Sequence, residues 1–167
     1  YRAIETLRSK APGLCLRTTL MTGFPGESEA QFERLLEFVG EVRFDRLGTF
    51  AFSAEEGVAA SGFPGRVPEE ERARRASAVM EKQQQISLEI NRSLIGREME
   101  VLVETVGEDE DGEVFSAGRT YRDAPDIDGL FYLDGEIEPG SFLNARVTAA
   151  TEYDLDGGEM PPAQGAN

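Results

Sequence analysis

Hydrophobic positions change their period along this chain, and three kinds of element follow from the changes. Leu16, Thr18, Thr19, Leu20 and Met21 form a β-prone run, and Gly23, Pro25 and Gly26 then force the chain to turn. Ser28 followed by Gln31 has the spacing of a helix capping box. Phe32, Leu35, Leu36 and Val39 recur at helical spacing, and residues 47–53 form a second strand candidate that runs into Ala54-Glu55-Glu56-Gly57. This order predicts an α/β unit with a ligand site at its strand ends. Turn amides and the positive end of a helix converge there, and glycines let a ligand approach the main chain. Upstream, Ile4, Leu7 and Arg8 make a short amphipathic run that calls for a preceding partner, so the chain, which opens at Tyr1, is read as a fragment.

The next period is again helical. Val67-Pro68-Glu69-Glu70-Glu71 puts proline and acids where a first helical turn wants them. Ala76, Val79, Met80, Ile86, Ile90 and Leu94 continue an apolar stripe, with Gly96 as terminator. A long helix over residues 67–95 is expected, linking two bodies. Residues 59–66, with Gly62, Pro64 and Gly65, read as a loop over the site or as a plain connection, and the plain connection is favoured.

From Arg97 the period becomes two. Met99, Val101 and Val103 alternate with Glu98, Glu100 and Leu102; Leu143, Ala145, Val147 and Ala149 alternate with Asn144, Arg146 and Thr148. Asp111-Gly112, Asp134-Gly135 and Pro139-Gly140 mark turns between the strand runs 114–121, 130–133 and 142–150, a spacing that suits a small antiparallel barrel. After Asp156 the glycines and prolines leave little to bury, and residues 157–167 are expected to be a disordered tail. The fold class is therefore α/β plus all-β: residues 1–66 as an α/β portion, 67–95 as a helix, and 96–156 as a β-barrel.

Composition removes several chemistries. With no histidine there is no Ser-His-Asp or Cys-His triad and no imidazole base. The single cysteine, Cys15, lies between Leu14 and Leu16 and reads as a buried or half-buried thiol rather than a reactive or cluster-binding one. No metal site and no catalytic residue are expected in these residues. No apolar run approaches the roughly 20 residues that span a bilayer, and no signal-peptide pattern opens the chain, so a soluble cytoplasmic protein without membrane contact is expected.

Charge is uneven. Residues 1–95 carry 13 basic and 14 acidic side chains, a net of −1, whereas residues 96–167 carry 4 and 18, a net of −14. A surface of that sign repels phosphate backbones and draws basic partners, so no direct nucleic-acid ligand is expected for the second half. An acidic surface that only keeps the chain soluble is the competing account.

Three passages in order, G-F-P-G-E-S from Gly23, F-D-R-L-G-T-F-A-F-S-A-E-E-G from Phe44, and G-R-T-Y-R-D-A-P-D-I-D-G from Gly118, resemble the C-terminal half of a radical S-adenosylmethionine methylthiotransferase, up to about Leu155. The resemblance implies the last strands of a partial, TIM-like radical S-adenosylmethionine barrel, followed by the OB-like TRAM module that ends this family. It implies S-adenosylmethionine as cofactor, with Thr19, Met21 and Gly23 flanking the adenosine, Arg17 near the ribose or the methionine carboxylate, and Phe52 and Ser53 at the next strand end. An arginine on a strand is as often an ion-pair partner, which leaves Arg17 open. The family's two iron–sulfur clusters are held by cysteines that these residues lack, so no cluster and no radical chemistry are expected of this chain alone. One branch of the family modifies tRNA. The branch with the better charge match adds a methylthio group to the β-carbon of an aspartate on a small-subunit ribosomal protein, and such proteins are basic. Asp123, Asp126 and Asp128, beside Arg119, Tyr121 and Arg122, are the segment expected to contact that partner; the alternative is that the aspartates cap turns. A non-catalytic acidic module binding a basic ribosomal protein remains a reading of another class.

Overall fold

The computed structural model describes residues 1–160, and the chain divides between Ser87 and Leu88 into two compact units. The first unit contains α1 (Arg2–Lys10), β1 (Arg17–Thr22), α2 (Glu29–Val42), β2 (Arg46–Ala51), a single 3-10 turn (Ala59–Gly62) and the larger part of α3 (Glu69–Arg92). β1 and β2 are parallel, in register from Arg17 opposite Arg46 to Thr22 opposite Ala51, and α2 crosses between them. The capping box read from Ser28 and Gln31 is present: the Ser28 hydroxyl accepts from the Gln31 amide, and the Gln31 side chain accepts from the Ser28 amide. Phe32, Val39 and Val42 of α2 bury their side chains in the same unit as Leu16, Phe44, Leu47, Val79 and Ile86. The opposite face of the two strands, carrying Arg17, Thr19 and Met21 with Gly48 and Phe50, is exposed. Parallel strands are ordinarily covered on both faces, so this face has the character of an interior laid open.

The helix expected over residues 67–95 is shorter at both ends. Val67 and Pro68 precede its first turn. Beyond Arg92 the amides of Ser93, Leu94 and Ile95 reach carbonyls three residues back, a tightened turn that Gly96 closes at φ +85°. Nor is α3 a body between two others, because the boundary between the units falls inside it.

The second unit is a closed barrel of β3 (Glu98–Glu108), β4 (Val114–Arg119), β5 (Phe131–Asp134), β6 (Phe142–Ala150) and β7 (Leu155–Glu159), in the order β3-β4-β5-β7-β6. Every pairing is antiparallel except β5 with β7, which is parallel. This is the five-stranded OB-like arrangement. Met99, Val101, Val103, Phe131, Leu133, Ala145, Val147 and Leu155 fill the interior, joined by Leu94 from the turn after α3. The inward alternation of β6 stops at Val147, because a bulge between Val147 and Ala149 turns Ala149 outward and brings Ala150 toward the core. Asn91 is fully buried, and its amide donates to the carbonyls of Thr151 and Glu152 at 3.1 and 3.3 Å.

One boundary is corrected by β7. Residues 157–159, assigned to a disordered tail by their glycines, are strand: Gly157 pairs with Leu133 and Val147, and Gly158 with Arg146. Met160 follows, its amide donating to the Asn144 carbonyl at 2.9 Å, and residues 161–167 of that tail lie outside the described residues.

Candidate functional site

The C-terminal end of β1 carries the turn that the sequence singles out. Gly23 and Gly26 hold φ values of +71° and +86°, a region that favours glycine. The Gly23 amide donates to Glu27 Oε1 at 3.0 Å, and the Gly26 amide to the Gly65 carbonyl at 2.8 Å. Two arginines of α3 tie the strand ends down. Arg72 donates to the Phe52 carbonyl, while its own carbonyl accepts from the Thr22 hydroxyl at 3.4 Å. A Cβ on Gly23 would stand 2.2 Å from Arg72 Cγ, so only glycine fits beneath that stem. Arg75, 5% exposed, donates to Glu27 Oε1 at 2.6 Å, to the Glu27 carbonyl at 3.0 Å, to Glu29 at 2.9 Å and to Glu71 at 2.8 Å, and lies over the Phe32 ring.

Around this frame runs a cleft lined by Gly23, Pro25, Phe52, Ala54, Arg66, Val67 and Arg72. Phe24 meets Phe52 edge-on at 5.3 Å between centroids and Phe63 at 6.0 Å, giving one rim an aromatic character. The polar groups on the lining are guanidinium groups and main chain, none of them a base at neutral pH. The cleft is therefore equipped to bind and orient a ligand, not to move protons.

Of the residues expected to hold a cofactor, Gly23 and Phe52 come together on this cleft. Ser53 is exposed just past it, and Thr19 and Met21 lie along the open face of β1. Arg17 opens the strand at its other end, about 20 Å of extended chain from Gly23 at about 3.3 Å per residue. Sequence reasoning passed over Arg72, Arg75, Phe24 and Phe63. The signal for Arg75 was present: it sits four residues before Val79 on the apolar stripe of α3, where a charge requires buried partners.

The ion-pair cluster has a measurable signature. Hydrogen bonds from Arg74 and then Arg75 lower the Glu71 carboxyl from 4.5 to about 2. Since the folded value is depressed, the stabilisation is complete above about 4.5 and is lost as pH falls through about 2. A carbon-detected NMR titration is expected to find the Glu71 midpoint near 2 in the native chain and well above it in Arg74→Gln; an unmoved midpoint in that variant would assign the shift to Arg75 alone. Burial opposes the charge of Arg75, but Glu27, Glu71 and Glu29 together outweigh it and leave the pKa above its ordinary value.

On the barrel, the expected substrate segment is divided between solvent and structure. Asp123 Oδ2 accepts from the Thr120 amide and hydroxyl at 3.1 and 2.7 Å, and Asp128 Oδ2 from the Ala124 amide at 2.6 Å, so both hold turns. Arg119 pairs with Glu104 at 2.9 Å, and Arg122 is buried. Tyr121, Asp126 and the neighbouring Ile127 face solvent, with Asp126 at φ +60°. Among the described residues no group of three or more Cys, Asp or Glu could hold a metal ion, and no helix is long and apolar enough to cross a membrane. One half-buried cysteine cannot supply the ligand set of an iron–sulfur cluster.

Comparison with known proteins agrees with this division. Residues 95–159 match the TRAM domain family, the span of the OB-like barrel including β7. Nearly the whole chain is similar to proteins named ribosomal protein uS12 methylthiotransferase RimO. The one from Roseiflexus sp. (strain RS-1) is 44% identical over 162 residues, 97% of this chain and 34% of the relative. That from Pelotomaculum thermopropionicum is 46% identical over 158 residues, 93% of this chain and 35% of the relative. That from Anaeromyxobacter sp. (strain K) is 49% identical over 155 residues, 92% and 33%. The chain thus spans about a third of the length of the relatives it matches. An α/β unit with a G-F-P-G-E turn, a TRAM barrel, and this level of identity from end to end place the chain in the RimO methylthiotransferase family, as a C-terminal portion of its members.

Proposed function

We propose that this chain is the part of a radical S-adenosylmethionine methylthiotransferase that completes the cofactor-facing α/β body and carries the substrate-selecting barrel, acting in the cytoplasm on a basic small-subunit ribosomal protein. The observation that carries the reading is identity of 44–49% over more than nine-tenths of the chain to relatives named for modifying uS12. The reaction is the addition of a methylthio group to the β-carbon of an aspartate. The net of −14 over residues 96–167 supports a protein substrate, because a barrel meant for tRNA calls for lysine and arginine along its binding face.

The residues fit an adenosine-bearing cofactor. Gly23 lines the cleft beside the Arg72 stem, Phe52 and Phe24 offer aromatic contact, and Met21 and Phe50 offer an apolar strand face. S-adenosylmethionine, reduced by an iron–sulfur cluster that residues outside this chain ligate, supplies the hydrogen-abstracting radical. In this reading Thr19, Met21, Gly23, Phe52 and Ser53 hold the adenosine, and Arg17, at the far end of β1, is left for the ribose or carboxylate only if the cofactor lies along the strand face. Tyr121 and Asp126, the exposed members of the predicted segment, meet the substrate with Arg119, while Arg122, Asp123 and Asp128 shape the loop that presents them.

The test is the full-length gene product, reconstituted with iron and sulfide, given S-adenosylmethionine and either the ribosomal protein or tRNA. Deoxyadenosine release and a methylthio mass gain on the ribosomal protein alone are expected. Modification of tRNA instead, or no cofactor cleavage, would overturn the reading.

A further inference from the structure

The outer face of β4, β5 and β7 carries a feature that the substrate loop does not explain. Two rows of paired positions cross it: Gly107, Phe115 and Asp134, then Thr105, Ala117, Tyr132 and Asp156, with Ala117 buried and Phe115, Tyr132 and Asp156 half-buried. Phe115 folds over Gly107, where a Cβ would come within 2.8 Å of the ring, and meets Tyr132 at 5.6 Å with the planes at 67°. The two rings form a ledge with a carboxylate at the end of each row. Among the described residues no ion pair engages Asp134 or Asp156, whereas Arg119 and Arg146 are committed to Glu104 and Glu98 at 2.9 and 2.8 Å. Burial raises the Asp156 carboxyl, and the neighbouring charges of Asp154 and Asp134 raise it further; burial likewise raises the Tyr132 hydroxyl, with Asp154 and Asp156 adding to it. These are the marks of negative groups gathered without a counter-charge.

Strands two and three of an OB-type barrel are where such folds bind oligonucleotides, stacking bases on aromatic side chains. Here the stacking surface is kept and the electrostatics are reversed. A phosphodiester would meet Asp134 and Asp156 at close range. A guanidinium is the complementary group: planar, able to lie on an aromatic ring, and able to donate to carboxylates in a fixed fork. We propose that the outer face of β4, β5 and β7 is a docking surface for an arginine-bearing segment of a basic protein, with the guanidinium resting on Phe115 and Tyr132 and paired with Asp134 and Asp156. The proposal rests on the reading that the partner is basic, and it adds a second contact region to the loop around Tyr121 and Asp126.

The probe is a fluorescein-labelled Gly-Arg-Gly-Arg-Gly peptide, titrated into the chain with anisotropy and ring-proton NMR as readouts, alongside its lysine analogue and a single-stranded RNA hexamer. The Phe115 and Tyr132 ring signals are expected to move, the lysine peptide to bind about threefold more weakly, and Asp134→Asn with Asp156→Asn to weaken the arginine peptide about tenfold, the loss of roughly one good charge-assisted contact. Glu100→Gln, on the outward face of β3 where it borders β6, is expected to change affinity less than about twofold. Equal losses from Glu100→Gln, ring signals that do not move, or RNA bound at the ledge would each overturn the proposal. The two readings fail separately. A full-length enzyme that modifies no ribosomal protein sinks the functional reading, whereas one that modifies it with an unchanged KM in the Asp134→Asn, Asp156→Asn variant sinks the docking surface alone.

Discussion

Gly157→Ala is expected to destabilise the barrel by about 1–3 kcal/mol, while Gly158→Ala, one residue on, is neutral or slightly stabilising. The two positions differ only in what surrounds them. A Cβ at Gly157 would lie 2.5 Å from the Arg146 carbonyl oxygen and 2.5 Å from the Phe131 ring, a fixed backbone on one side and a core aromatic on the other. Neither can withdraw without opening the β6–β7 ladder or displacing the best-buried ring of the barrel. At Gly158 the same atom meets nothing within 4 Å, so alanine there costs no contact and removes backbone freedom from the unfolded chain. Thermal melts of the two variants make the comparison, at roughly 4–8 °C per kcal/mol for a unit of this size. Equal melting temperatures for both variants and the native chain would mean that residues 157–159 do not close the barrel.

That strand shows where the sequence stops being legible. β6 runs from Phe142 to Ala150, the limits read from the sequence, and its alternation holds as far as Val147: Ala145 and Val147 face the core and Asn144 and Arg146 face water. β7, Leu-Asp-Gly-Gly-Glu, has one inward apolar side chain and two glycines, a composition that reads as tail. It becomes strand because β5 and β6 each need a ladder partner to close the barrel, and glycine at 157 is what the Phe131 ring leaves room for. Local propensity points one way, closure the other, and closure prevails.

The candidate site divides in the same manner. Gly23, Gly26, Ser28 and Gln31 act within a few residues of one another, so the turn and its capping box are visible in the sequence. Arg72 acts across 20 residues on Phe52 and Arg75 across 48 on Glu27, and no local pattern records the distance. What the sequence does carry is a polar residue at every eighth position of a buried stripe: Arg75, Gln83 and Asn91. Each proves to be a tether from α3 to a distant main-chain carbonyl, at Glu27, Phe44 and Thr151 respectively. The aspartates at 123 and 128 show the converse. Short-range turn chemistry is one of their two readings, and Asp123 and Asp128 do accept from turn amides, those of Thr120 and Ala124.

Arg75→Met is expected to cost the first unit about 2–4 kcal/mol, somewhat below the range for a fully enclosed pair because Glu29 and the rim of Glu71 reach solvent. The thioether can cover Phe32, but it leaves Glu27, with a side chain only 14% exposed, holding a charge against the Gly23 amide alone. Arg75→Lys restores the charge without the fork, so it can satisfy one of Glu27, Glu29 and Glu71 at a time and is expected to recover less than half of the loss. Urea unfolding followed by probes in each unit makes the measurement, with the first unit's transition moving to lower denaturant and the barrel's holding still. A Lys variant as stable as the native chain would mean that the cluster is a simple charge pair rather than a set of directed hydrogen bonds. In the full-length enzyme the same variants discriminate a positioning role from bulk stability. Where Arg75→Lys remains folded, a raised KM for S-adenosylmethionine with little change in kcat is expected, because Glu27, which holds the Gly23 amide, loses its guanidinium anchor, and the cofactor is proposed to lie against that turn. A fall in kcat at constant KM would place Arg75 outside cofactor positioning.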